Sequence, residues 1–188
     1  MGLALCLYLF AQNTFLTWGP SYLTEAFGLT PEKAGGVVSN YWGPSVLGLI
    51  TASLLVNKIP ARVMLLSVIA FAIALSVYFT TARDPQQFLM ATLAFGFLTS
   101  CIYKLGISIG SQQIAKSPAV LVTFLLTCGT IGSTIAPALS AIIVEQLGVK
   151  SAIFMTSIAF ISVMFCVAAC LALEKNFSLK AKQLKEAK

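Results

Sequence analysis

Histidine does not occur among the 188 residues, and Asp, Glu, Lys and Arg together make up only 10% of them. The first absence removes histidine metal ligands, imidazole proton shuttles and every Ser-His or Cys-His nucleophile. The second is as exclusive, because the surface of a soluble domain needs charge on roughly 25% of its residues to be solvated. Only six residues are acidic, so paired carboxylates for acid–base work are scarce as well. The five cysteines (Cys6, Cys101, Cys128, Cys166, Cys170) show no C-x-x-C spacing and lie in apolar runs, where a thiol is a small core residue. What remains is a chain that is 58% hydrophobic with a mean hydropathy of +0.91. That composition excludes a disordered chain, a disulfide scaffold and an ordinary soluble enzyme, and places the protein in a bilayer.

A helix that crosses the hydrocarbon core needs about 20 mostly apolar residues. Six such runs are punctuated by charge, Pro or Gly: residues 2–18, with a possible extension through Gly19-Pro20 to residue 27, then 34–56, 61–81, 87–112, 119–144 and 151–173. Their short connections imply antiparallel neighbours. Thr30-Pro31, Asp84-Pro85 and Ser117-Pro118 are helix-start signals, each a capping residue followed by a proline suited to the first helical position. The fold expected is all-α: a six-helix transmembrane bundle over residues 1–173 and a basic cytoplasmic tail over 174–188. The first apolar run begins at once, with no basic flank and no cleavage site, which reads as a larger protein entered at a helix.

The net charge of +6 is arranged by side. If the link around Lys58 is cytoplasmic, that side holds Lys58, Arg62, Lys116, Lys175, Lys180, Lys182, Lys185 and Lys188, against Lys33, Arg83 and Lys150 opposite. By the positive-inside rule both ends of the chain are cytoplasmic. Orientation thus accounts for the basic balance, and no nucleic-acid partner is implied.

An internal match supports a repeat. Val56-Asn57-Lys58-Ile59-Pro60-Ala61-Arg62 aligns with Val144-Glu145-Gln146-Leu147-Gly148-Val149-Lys150 at an offset of 88 residues. Each follows the second run of a triplet. Two successive three-helix units lie in opposite senses across a membrane, so the expectation is a pair of inverted repeats. Polar residues are shared out alike in the two triplets. The first two runs of each carry them, among them Gln12, Asn13, Asn40, Tyr41, Tyr103, Lys104, Thr127 and Thr130, while the third runs hold scattered hydroxyls and read as lipid-facing.

These eight residues are candidates for lining a substrate cavity, and a plainer reading stands beside each. Thr127 and Thr130 belong to a threonine stripe that can bond to its own backbone, and Gly129-x-x-x-Ser133 is a close-packing pair. Gln12 and Asn13 can be clamps between helices, while Asn40 and Trp42 flank a break at Pro44 that neighbours or water must resatisfy. Pro44 and Pro137 break a backbone hydrogen bond and mark kinks or packing positions. Trp18 and Tyr22 read as part of an interfacial aromatic belt. Lys104 stands about 17 residues into its run, roughly 26 Å from the outer end. A charge at that depth is functional by default, attracting an anionic solute or pairing with a carboxylate, unless its stem snorkels to the headgroups.

The link Ser53-x-x-x-Asn57-Lys58-x-Pro60-x-Arg62 resembles the cytoplasmic G-x-x-x-D-R-x-G-R-R loop of the major facilitator superfamily. Ser53, Asn57 and Pro60 replace the glycine, aspartate and second glycine, which removes the loop's acidic member. Four further segments, Trp18-Gly19-Pro20-Ser21-Tyr22, Val38-Ser39-Asn40-Tyr41-Trp42, Ile109-Gly110-Ser111-Gln112-Gln113 and Leu126-Thr127-Cys128-Gly129-Thr130-Ile131-Gly132, are similar to bacterial inner-membrane members of that superfamily. The resemblance implies the carboxy-terminal half of a twelve-helix carrier in the bacterial inner membrane. Its partners would be the lipid bilayer, a missing amino-terminal six-helix half and a small solute, which Lys104 would favour as an anion. No cofactor, metal or enzymatic activity is expected. The alternative is a structural or regulatory membrane protein on a transporter scaffold.

Overall fold

The computed structural model describes residues 1–113 and 119–186, with side chains to residue 174. Lys116, Ser117-Pro118 and Lys188 lie outside the described residues. Among those described the regular structure is helical: α1 Gly2–Phe27, α2 Pro31–Ala34, α3 Gly36–Leu55, α4 Ala61–Thr81, α5 Pro85–Thr99, α6 Ile102–Ser111, α7 Ala119–Leu147 and α8 Lys150–Glu186. Local chemistry sets several boundaries. Gly28, at φ 66°, closes α1 in the left-handed region that glycine adopts without strain. Asp84 accepts from the Gln86 amide at 3.0 Å and Pro85 opens α5, as that start signal requires.

The helices extend past some expected limits. α1 runs through Pro20 to Phe27, and α8 continues without interruption to Glu186, into the residues read as a tail. The expected run 87–112 is instead divided, since helix α5 stops at Thr99 and α6 begins at Ile102. Local back-bonding accompanies the division. The Ser100 hydroxyl donates to the Phe97 carbonyl at 2.9 Å and the Cys101 thiol to Leu98 at 3.4 Å, competing with the helical ladder.

Four segments are long and apolar enough to cross a membrane: Ala61–Thr81, Pro85–Ser111, Ala119–Leu147 and Lys150–Glu174. α1 and α3 have the length but not the apolarity, because they carry Gln12 and Asn13, and Ser39, Asn40 and Pro44.

Packing pairs α1 with α7 and α8, α3 with α5, and α4 with α8 and α5. Lipid tails are as apolar as leucine, so membrane helices associate through close van der Waals fit rather than a hydrophobic drive. Glycines supply that fit at the two main pairings. A Cβ on Gly132 would lie 1.9 Å from the Cys6 carbonyl oxygen of α1, and one on Gly96 would lie 2.1 Å from that of Tyr41 in α3. Between α1, α4 and α5 an aromatic core is fully buried: Phe15 meets Phe79 at 4.9 Å and Phe95 at 5.0 Å between ring centroids, and Phe79 meets Phe88 at 4.5 Å. Tyr22 joins it, stacked edgewise on Phe27 and beside Phe88. The interfacial-belt reading of Tyr22 is therefore corrected, since its ring is covered by the helices around it. Trp18 is likewise tied inward, its indole donating to Ser140 of α7 at 2.7 Å.

Candidate functional site

Beside the aromatic core lies a cavity of about 350 Å³, walled by α1, α3, the α5–α6 junction, α6 and α7. No residue of α4 or α8 lines it. From α1 come Tyr8, Leu9, Gln12, Asn13 and Leu16, positions three and four apart that share one helical face. α3 adds Tyr41, Trp42, Ser45 and Leu49; the junction adds Ser100; α6 adds Tyr103 and Lys104; α7 adds Ser133.

The wall has one partly organised side and one unsatisfied side. On the organised side, the Tyr8 hydroxyl donates to the Thr99 carbonyl at 2.8 Å, where the α5–α6 break interrupts the helix. The Thr99 hydroxyl donates to Phe95 at 2.7 Å and lies 2.8 Å from the Tyr41 hydroxyl. Tyr8 stacks on Tyr103, whose hydroxyl reaches the Leu126 carbonyl at 3.3 Å and whose ring fills the space that Gly129 leaves open. Asn13 is satisfied within α1, donating to Leu9 at 2.9 Å. Gln12 differs. It is only 8% exposed, yet its amide makes no hydrogen bond among the described residues, so its donors and acceptor are available to whatever occupies the cavity.

Lys104 is the one charged residue of the wall among the described residues. It is exposed, it makes no ion pair among the described residues, and its Nζ lies 6.0 Å from the centroid of the Tyr103 ring. The cavity is therefore a neutral hydrogen-bonding surface with a single cation at one end.

Of the eight sequence candidates, Gln12, Asn13, Tyr41, Tyr103 and Lys104 meet in this cavity. Asn40, Thr127 and Thr130 stand apart from it. The Asn40 amide donates to the Leu89 carbonyl of α5 at 3.1 Å and so clamps α3 to α5. Thr127 and Thr130 are exposed and bond back to Thr123 and Leu126 of their own helix. Ser133 faces the cavity while its hydroxyl bonds to Thr130, and Gly129 packs on Tyr103. Pro44 and Pro137 both lie inside continuous helices, and the Ser140 hydroxyl beside Pro137 bonds back to Ala136. In the loop motif, Ser53 ends in a bond to Ile50, Asn57 and Lys58 form a turn, Pro60 precedes α4, and Arg62 pairs with Glu174 of α8. Tyr8, Ser45 and Thr99 were not among the candidates. Tyr8 and Ser45 lie one helical turn from Gln12 and Tyr41, a spacing that could have found them.

Long apolar helices packed around a polar cavity are the make-up of a polytopic membrane protein. The family model described as Major Facilitator Superfamily matches residues 1–188, and the chain belongs to that family. It is similar to the Protein TsgA homolog of Yersinia enterocolitica, 34% identical over 151 residues that cover 80% of this chain and 38% of that protein. The Protein TsgA homolog of Yersinia pseudotuberculosis is 33% identical over 171 residues, 90% of this chain and 42% of that protein. That of Edwardsiella ictaluri is 33% identical over 150 residues, 80% and 38% respectively. The chain thus spans about two fifths of the length of the curated relatives it matches. No solved structure matches it significantly.

Proposed function

We propose that this chain is the carboxy-terminal half of a secondary transporter of the bacterial inner membrane, which moves a small solute by alternating access. The observation that carries the reading is Gln12, a buried residue whose amide makes no hydrogen bond among the described residues and lines a cavity between α1, α3, α5–α6 and α7. In this reading the six long elements α1, α3, α4, α5–α6, α7 and α8 all span, as two inverted three-helix repeats. The packing supports this. Exchanging α1 with α5–α6, α3 with α7 and α4 with α8 turns the α1–α7 pairing into α5–α3 and α1–α8 into α5–α4, and leaves α4–α8 unchanged. The solute site then lies near the interface of the repeats, as in other carriers built this way.

The partner is an amino-terminal six-helix half, against which this bundle rocks. Apolar side chains exposed along α3 and α7, among them Val46, Ile50, Phe124, Ile131, Ile135 and Ile142, give it a surface to face. Both ends of this chain are cytoplasmic, and the tail from residue 174 is solvated, by the distribution of Lys and Arg. A thermal-shift screen of the complete purified protein against a broad metabolite panel tests the function. At least one solute should stabilise it, since a ligand that binds the folded state alone raises its stability, and Gln12→Leu should weaken that shift about tenfold in apparent affinity, the equivalent of one lost hydrogen bond of about 1.4 kcal/mol. No stabilising solute at all would instead favour the structural or regulatory protein.

A further inference from the structure

We infer that the solute is an amphiphilic anion, held by its charged head at Lys104 and by an aliphatic tail in a second cavity; this rests on the transporter reading and narrows its substrate class. The second cavity, about 290 Å³, lies between α3, α4 and α6. Its wall is almost wholly apolar, with Ala52 from α3, Val56 just after it, Met64 from α4 and Leu105 from α6. The Ser53 hydroxyl at its edge is engaged with the Ile50 carbonyl. Leu49 and Lys104 line this cavity and also the polar one, so they form the boundary between the two.

That boundary has a definite chemistry. Of the six acidic residues, Glu25, Glu32, Asp84, Glu145 and Glu186 lie at the ends of helices or in links, Glu174 within α8 is paired with Arg62, and Lys104 has no ion pair among the described residues. A cation within a span needs an anion, water or an aromatic face, and the Tyr103 ring at 6.0 Å is a weak substitute. On one side of the ammonium stand amide and hydroxyl groups, on the other mostly hydrocarbon, broken by the Cys101 thiol and the hydroxyls of Ser53 and Ser108. A carboxylate, sulfonate or phosphate carrying an unbranched tail matches both sides at once. A short polar anion would leave the second cavity empty, and a neutral solute would leave the cation unmatched.

The test uses the complete protein in nanodiscs of zwitterionic phosphatidylcholine, with ethane-, butane-, hexane- and octanesulfonate as probes and alkyltrimethylammonium ions of the same lengths as controls. Affinity for the sulfonates should rise about fourfold per methylene, the value of one buried CH₂ group, and exceed that for the ammonium series at least tenfold. Lys104→Met should abolish the preference for anions but keep the dependence on length, and Lys104→Arg should retain both. Ala52→Phe, which fills the second cavity, should flatten the dependence on length and leave ethanesulfonate binding intact. Unaltered length dependence in Ala52→Phe, or equal binding of the ammonium series, would overturn the inference. If the metabolite panel yields a solute but no sulfonate binds, this inference fails alone; if neither binds, the transporter reading fails with it. Repeating the series with anionic phosphatidylglycerol in the disc identifies the source. Competition by that lipid assigns the site to an anion drawn from the bilayer, indifference assigns it to one drawn from water, and both results support the same head-and-tail chemistry.

Discussion

Replacing Gly132 with alanine tests whether the contact between α1 and α7 is as close as the structure has it. The added methyl would lie 1.9 Å from the Cys6 carbonyl oxygen and 2.7 Å from its carbon, both backbone atoms that no rotamer change can move. Restoring the 3.4 Å at which ordinary contact begins requires the two helices to separate by about 1.5 Å along that line. Within a helix, alanine gains about 1 kcal/mol over glycine, while forcing a well-packed interface apart costs about 1–3 kcal/mol for a single methylene. Because the clash is between main chains, the upper end applies, and the net loss is about 2 kcal/mol. The separation also moves Tyr8 and Gln12, which α1 carries to the cavity wall, so ligand affinity should fall along with stability. Thermal unfolding of the complete protein in detergent reads the first effect, with Gly36→Ala as control, since a methyl there meets only Leu89 at 3.6 Å. A Gly132→Ala protein that melts with the wild type, or above it, would refute the reasoning.

Two further substitutions probe the buried polar groups. Tyr8→Phe removes the donor to the Thr99 carbonyl and leaves that oxygen unpaired, so the complete protein should lose about 1–3 kcal/mol; an unchanged melting temperature would mean that water replaces the hydroxyl. Thr14 is fully buried and its hydroxyl has no hydrogen-bond partner. Thr14→Val, close to it in shape, should therefore stabilise the protein by about 1 kcal/mol in the same assay, and a loss of stability would show that the hydroxyl is engaged.

Much of the helical content could be read from hydropathy, because a span is set by a property that the chain displays locally. Run 61–81 coincides with α4, and Asp84-Pro85 opens α5 with the bond that a capping residue makes. Spacing also put Gln12 and Asn13 on the right helix and singled out Lys104. What spacing cannot convey is which face a neighbour will cover. The threonine stripe of α7 is as regular as the polar face of α1, yet its hydroxyls are exposed and satisfied by their own backbone. Asn40 and Tyr41 are adjacent, yet one clamps α5 while the other turns to the cavity. The break between α5 and α6 was hidden for a related reason. It depends on a tyrosine 91 residues away taking up the Thr99 carbonyl, and no local pattern announces a partner so distant.

That break also makes the span uneven in stiffness. Below Thr99 in sequence, α5 is gripped by Phe88 and Phe95 inside the aromatic core, where any tilt must unpack several rings together. Beyond it, α6 is a ten-residue segment held instead by the buried aliphatic side chains of Ile102, Leu105 and Ile109 and by the Tyr103 hydroxyl on the Leu126 carbonyl of α7. A disturbance arriving at Lys104 therefore works against aliphatic contacts and one hydrogen bond between helices, while the same force on α5 would meet the whole ring stack. The residue best placed to sense charge is thus mounted on the part of its span that the phenylalanine cluster does not hold.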